Sequence, residues 1–383
     1  MRHKIDCTMF HLFVVLFFAL TMDSLTAKAD EVLVFISAFA SGEEGAIHAY
    51  NLDTDSGKLA LLHRTVDVEH PFFLATSHDG HYLYSIHAPG QFGGKENEQI
   101  TAFEIAGRGG ELKLLNRQSA LGTAACYLDV DASGKALVVA NYSSGSVASF
   151  PLQADGKLTA AATFVQHEGS SVNTGRQEGP HAHSIVISPD NNFAFAADLG
   201  LDKILCYKLD ADRATLAPNA QPFVRTVPGG GPRHLTFHPN GKHLYLINEI
   251  ANSISVFDYN SETGVLLEQQ TVPTLPSDFE GTSHTADLKV TPDGQFLYGT
   301  NRGHDSIASY RVDPNGRLAL LDIQPSLGGG PQNLAVTQTG TLLICANMSG
   351  GNVAVFRIDP QTGQIQSVGE PVSIPSPSCI MLP

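Results

Sequence analysis

Two arginines, one glutamate and several histidines stand out in this chain because they break a pattern that the rest of it repeats. Six stretches share a tight turn, at Gly80, Gly134, Asn191, Gly241, Gly294 and Gly340. Eight residues after the turn lie Ala88, Tyr142, Leu199, Glu249, Arg302 and Met348. A repeat needs no charge there, so Glu249 and Arg302 are outliers. Eight residues before the turn lie Phe72, Cys126, His183, Arg233, Ala286 and Gln332; ten before it lie His70, Ala124, His181, Gly231, His284 and Gly330. Arginine offers a planar fork to a carboxylate, a phosphate or a developing oxyanion. Glutamate among cations can act as a general base if its pKa is tuned, and histidine moves protons in either direction near neutrality. Each of these residues alone has a plainer role, hydrating a loop. Their convergence is what points to acid–base chemistry. No G-x-S-x-G elbow is present, which disfavours a covalent acyl-enzyme. Walker loops, C-x-x-C pairs and a helical H-x-x-x-H are absent from the sequence too, so neither a metal nor another cofactor is expected.

The repeat itself says how these residues come together. Each copy reads as strand, tight turn, strand, polar loop, strand, then a second turn such as Asp313-Pro314-Asn315-Gly316. The strands are short, alternate apolar with polar, and are rich in Val, Ile, Leu, Phe and Tyr. Clear copies begin at Pro180, Pro232, His284 and Pro331, and weaker ones near Pro71 and Thr123. The turns recur about every 50 residues, the length of a four-stranded propeller blade. Residues 32–39 and 46–52 read as the second and third strands of a blade that lacks its first, and 378–382 as a lone first strand. Paired, they complete a seventh blade and leave no open edge. The expected fold is all-β, a single-domain seven-bladed β-propeller of four-stranded antiparallel blades over residues 30–383, its ring closed by the two ends of the chain. In such a ring the start of each inner strand and the loop after the second strand share one face. That face gathers His181, His183, Arg233, Glu249, His284 and Arg302 at one channel mouth. A neighbouring column, His87, Asn141, Asp198, Asn248, Asn301 and Asn347, is expected to bond loop backbone. Insertions at 88–99 and 166–179 belong to the same face and could cap the channel; the second carries Arg176, a further candidate for binding substrate.

Of the 383 residues, 42% are hydrophobic, enough for a large core and too many for a disordered chain. The formal charge of −15 argues against a nucleic-acid partner, which needs a basic face. Arg2, His3 and Lys4 precede an apolar run at 12–20, too short to span a bilayer, and Ala27-Lys28-Ala29 follows. A signal peptide over 1–29, cleaved before Asp30, is therefore expected. It implies an exported protein, periplasmic or secreted, with no membrane span in its mature form. Cys126, Cys206, Cys345 and Cys379 each lie in an apolar strand and read as small buried hydrophobes.

The motifs R-Q-E-G-P-H-A-H-S from Arg176, G-P-R-H from Gly231, N-E at Asn248 and N-R-G-H-D-S-I-A from Asn301 resemble the lactonase family of seven-bladed propellers. That family includes propeller-type 6-phosphogluconolactonases and carboxymuconate lactonising enzymes, and the resemblance covers essentially the whole mature chain. It implies a site of one histidine, one glutamate and two arginines, falling here on His181 or His183, Glu249, Arg233 and Arg302. The implied reaction is hydrolysis of a sugar-acid lactone. Glu249 would position or deprotonate water, Arg233 and Arg302 would hold the anion and the oxyanion, and a histidine would protonate the leaving alkoxide. At 283–287 the chain has S-H-T-A-D where the family pattern is S-T-A-A-D, so His284 is expected to bear on substrate choice. Export sets the chain apart from a cytosolic phosphosugar enzyme, which leaves an unphosphorylated lactone open. Two other readings stay open: a lactonising isomerase acting on a dicarboxylate, and an exported propeller that binds a ligand without turnover.

Overall fold

Short runs of β-branched and aromatic residues, each stopped by a turn, form strands along the whole chain. In the computed structural model the described residues are 31–66, 68–88, 92–94 and 98–383, and the expected signal peptide lies outside them. The strands form seven antiparallel sheets, six of them hydrogen-bonded in sequence order from the channel outward. Six of the innermost strands are Leu74–Thr76, Ala125–Val130, Ala182–Ile187, Pro232–Phe237, His284–Val290 and Pro331–Val336. The seventh blade splits its outer edge into Ile365–Ser367 and Val372–Ser373, both paired with Asn352–Ile358.

The first blade takes its inner strand from the other end of the chain. Pro377–Met381 pairs with Glu31–Ala38, matching Ile36 with Ile380 and Ser37 with Cys379. The Ser37 and Ser378 hydroxyls meet at 2.9 Å, and Ser378 Oγ donates to the Phe72 carbonyl at 2.8 Å, tying this strand to the second blade. The seven-bladed ring and its closure are thus as the repeat predicts.

The core lies between blades. Second strands such as Phe193–Asp198 and His243–Asn248 are buried at every residue, because neighbouring sheets cover both of their faces. Phe195, Leu244 and Phe257 pack between the fourth and fifth blades, and Tyr298, Leu343 and Phe356 between the sixth and seventh. Outer strands such as Val265–Pro273 are largely exposed. Tyrosine staples join blades: Tyr245 Oη donates to the Gly316 carbonyl at 3.0 Å and Tyr298 Oη to that of Gly363 at 2.9 Å. Gly316 sits at φ +75°, and a Cβ there would meet the His243 ring at 2.5 Å, so the second turn needs glycine for both reasons. All four cysteines of the strands are buried and free.

Candidate active site

The inner strands carry a shared irregularity at their start. Pairing with the second strand runs Ala182–Asp198 then Ser184–Ala197, which leaves His183 as an extra residue. The same bulge isolates Cys126, Arg233 and Gln332, and the sixth blade sets Ala286 and Asp287 against one partner residue. A bulge re-aims the side chain it carries. In five of the six copies, the column eight residues before the turn is therefore a column of bulged residues. Gly231 and Gly330, together with Ala124 and His70, reach positive φ two residues upstream of that column, whereas His181 and His284 are not among the positive-φ residues.

Glu249 is the hub. Its Oε1 accepts from Arg176 Nη2 at 2.6 Å, and its Oε2 accepts from Arg302 Nη2 at 2.8 Å and Arg233 Nε at 3.0 Å. His183 Nε2 lies 3.7 Å from the same Oε2. The carboxylate is buried, as is Arg233, while Arg302 and Arg176 keep side-chain exposures of 27% and 36%. Burial would raise the Glu249 carboxyl, but Arg302 and Arg233, helped by Arg176, hold it far below the usual carboxylate range. Burial and the neighbouring Arg302 bring Arg233 down to about 10, so it stays charged near neutrality. Three guanidinium groups around one carboxylate leave local positive charge for an anion or an oxyanion.

His181 Nδ1 faces the Tyr142 carbonyl at 3.1 Å. A carbonyl only accepts, so Nδ1 carries the proton and Nε2 is the bare nitrogen of the neutral ring. Tyr142 stacks on this ring at 4.6 Å, and the His181 amide donates to Asp198 Oδ1 at 2.7 Å. His183 is deeper. Burial, then Arg233, depress it well below the ordinary histidine value, and its Nδ1 lies 3.7 Å from Cys126 Sγ. His284 pairs across the strand with Arg302, whose Nε donates to the His284 carbonyl at 3.3 Å. Burial lowers the His284 ring as well.

The insertion 166–179 is pinned rather than loose. His167 Nδ1 meets Asp198 Oδ2 at 2.6 Å and its Nε2 meets Tyr207 Oη at 2.9 Å. Gln177, fully buried, donates to the Leu199 carbonyl at 2.8 Å and to Asp202 Oδ1 at 2.7 Å. These bonds hold Arg176 over Glu249. In the asparagine column Asn301 Nδ2 donates to the Thr274 carbonyl and Asn347 Nδ2 to that of Ser326, the loop-bonding role expected of it.

Thus His181, His183, Arg233, Glu249, His284, Arg302 and Arg176 lie at one mouth. Across it, on the side of the first two blades, Phe39, His70, Phe72 and Phe92 form a half-buried aromatic group with rings 5.0 to 5.4 Å apart. The opposite mouth holds a separate cavity of about 450 Å³, lined by residues that include Tyr127, Asp129, Lys289 and Asn333. Sequence reasoning passed over His234 and Asp287, which lie directly beneath Arg233. Both occur in the column seven residues before the turn (Phe73, Tyr127, Ser184, His234, Asp287, Asn333), whose polar members were the available signal. Among the described residues no group of three or more His, Cys, Asp or Glu side chains is placed to hold a metal ion, and no helix is long and apolar enough to cross a membrane.

Fold and mouth together define a seven-bladed β-propeller with a buried, ionised cluster at one end of its channel. Residues 33–382 match the family described as "Lactonase, 7-bladed beta-propeller", and the chain belongs to that family. It is 34% identical to the 6-phosphogluconolactonase of Bacillus subtilis over 348 residues, covering 90% of this chain and 97% of that one. It is 33% identical to the 6-phosphogluconolactonase of Formosa agariphila, covering 91% and 99%. The solved structure of the Pseudomonas aeruginosa periplasmic gluconolactonase superposes with a TM-score of 0.85 at 31% identity, covering 92% of this chain and 99% of that one.

Proposed function

We propose that the protein hydrolyses the lactone of a sugar acid, with water as nucleophile. The observation that carries this reading is the Glu249 carboxylate held by Arg176, Arg233 and Arg302, with His181 stacked on Tyr142, whose hydroxyl accepts from Arg176 at 3.4 Å, in a chain of the propeller lactonase family. His181 Nε2 takes a proton from water as the water oxygen attacks the lactone carbonyl. Arg176 and Arg302, the two partly exposed guanidinium groups, stabilise the tetrahedral oxyanion and any carboxylate or phosphate on the substrate. The ring C–O bond then breaks, and the protonated His181 returns its proton to the leaving alkoxide. Glu249 is too strongly stabilised as a carboxylate to take a proton from water, so its assigned role is to hold the arginines. His183, neutral and buried, walls the cluster.

The leader pattern at 1–29 and the resemblance to a periplasmic gluconolactonase support export of the mature chain. An exported site favours unphosphorylated aldonolactones over a cytosolic sugar phosphate.

The test is a panel of aldonolactones, phosphorylated and not, on the mature protein in labelled water. Turnover above the spontaneous rate with one solvent oxygen in the acid is expected, and H181N should lower kcat by about 10²–10⁴. Rearrangement without solvent oxygen would identify an isomerase instead. Ligand binding with no turnover of any lactone would identify a binding propeller.

A further inference from the structure

Beneath Glu249 a chain of buried polar side chains crosses the channel lining. Arg233 Nη1 lies 3.0 Å from His234 Nε2, and His234 Nδ1 lies 2.9 Å from Asp287 Oδ1. Asp287 Oδ2 accepts from Lys289 Nζ at 2.8 Å, from Asn333 Nδ2 at 2.8 Å and from the Leu334 amide at 2.9 Å. Asn333 Oδ1 in turn accepts from the Ile380 amide at 2.8 Å. Four blades therefore contribute to one network, in which Arg233, His234, Asp287 and Asn333 are all buried.

Donor and acceptor arithmetic fixes the state of the central ring. Arginine can only donate, so His234 Nε2 accepts and is the bare nitrogen. Nδ1 then carries the proton and donates to the Asp287 carboxylate. The other carboxylate oxygen is committed to three donors, so Asp287 can present only an acceptor on both sides. We infer that His234 and Asp287 are positioning residues, which hold Arg233, and through it the Glu249–arginine cluster, by fixing the His234 tautomer. The link to catalysis rests on the lactonase reading; the tautomer does not. A histidine oriented by a carboxylate behind it recurs where the ring must present one particular nitrogen.

Substitutions at 234 separate this role from mere packing. Glutamine can place an acceptor oxygen near the position of Nε2, and asparagine a donor near that of Nδ1. H234Q thus keeps the contact with Arg233, while H234N keeps only the contact with Asp287. D287N acts at one remove. Three donors still face its Oδ2 position, so the new amide NH2 turns to His234, shifts the ring proton to Nε2 and points it at an Arg233 N–H.

The expected result is a fall in kcat of about 10–100-fold for H234N and D287N with KM little changed, and a clearly smaller fall for H234Q. Nitrogen-15 NMR of the histidine-labelled wild type should show the His234 proton on Nδ1, and in D287N on Nε2, with or without any lactone present. A wild-type ring protonated on Nε2 overturns the inference. So do equal losses in H234Q and H234N, or no loss in either. Should a variant unfold, the wild-type spectrum still decides the tautomer. If the wild type opens no lactone, the proposed function fails while the spectrum still reads the device itself.

Discussion

Glu249 is kept ionised by cations instead of by water. Such a buried cluster is balanced only while every partner remains, since removing one member of a buried pair typically costs about 3–5 kcal/mol. The histidines around it bear the opposite constraint. His183 and His234 are buried neutral, His234 brought down to about 3 by burial and by Arg233. Elsewhere in the ring His48 and His87 are each lowered to about 4, chiefly by burial. Unfolded, all four would take up protons below their ordinary value of 6.5. The unfolded state then binds more protons than the folded one, so stability falls as pH falls through that window. Glu249 and Asp287 add to the same trend lower down. Their carboxyls stay ionised in the folded protein while unfolded ones protonate below their ordinary values of 4.5 and 3.8. Each fully shifted histidine contributes about 1.4 kcal/mol per pH unit within its window. The melting temperature should therefore decline steadily from pH 6.5 downward, and less steeply in H234Q. A melting temperature that stays flat to pH 4.5 contradicts this assignment of buried neutral rings.

At the scale of elements, two devices place the site: the repeated bulge at the start of the inner strand and the pinned insertion before the fourth blade. Gln177 makes two buried bonds from Nε2 and a part-buried one in which its Oε1 accepts from the Asn173 amide at 2.9 Å. Q177A leaves those groups without their partner, at about 1–3 kcal/mol each for the ones that stay dry. It also frees Arg176, the neighbouring residue. The expected outcome is a lower melting temperature with KM for an anionic lactone raised more than kcat is lowered, measured by steady-state kinetics. Unchanged kinetic constants would show that Arg176 is held by something else. The columns in the sequence located Arg233, Glu249 and Arg302 because a charge in a repeat position is visible by contrast. His234 and Asp287 were not legible in the same way. Strict strand alternation sends residues 233 and 234 to opposite faces, and only the bulge, a matter of hydrogen-bond register, lets both join one network. Pinning of the insertion was equally hidden, since it depends on Asp198 and Asp202, which lie 31 and 25 residues along the chain from the groups they bind.

For the molecule as a whole, closure of the ring is the condition for everything at its mouth. The blades stand side by side with their apolar faces shared, so a gap between any two exposes both. The strand Pro377–Met381 is the one segment from the C-terminal end that fills the innermost place of the first blade. It also reaches sideways: Ile380 donates to Asn333, which lies in the network under Arg233, and Ser378 bonds the start of the second blade. Its backbone bonds, at about 1 kcal/mol net each, rival the 5–15 kcal/mol that holds a typical domain folded. Loss of the strand would also leave Glu31–Ala38 as an open, apolar edge, a template for aggregation. Deleting residues 376–383 should therefore give an insoluble or strongly destabilised protein, although none of the residues around Glu249 is removed. Size-exclusion chromatography and calorimetry read the outcome directly. A truncated chain that stays monomeric and melts at the wild-type temperature would mean that the first blade is complete without its C-terminal strand, and that the Asn333 contact does not support the channel.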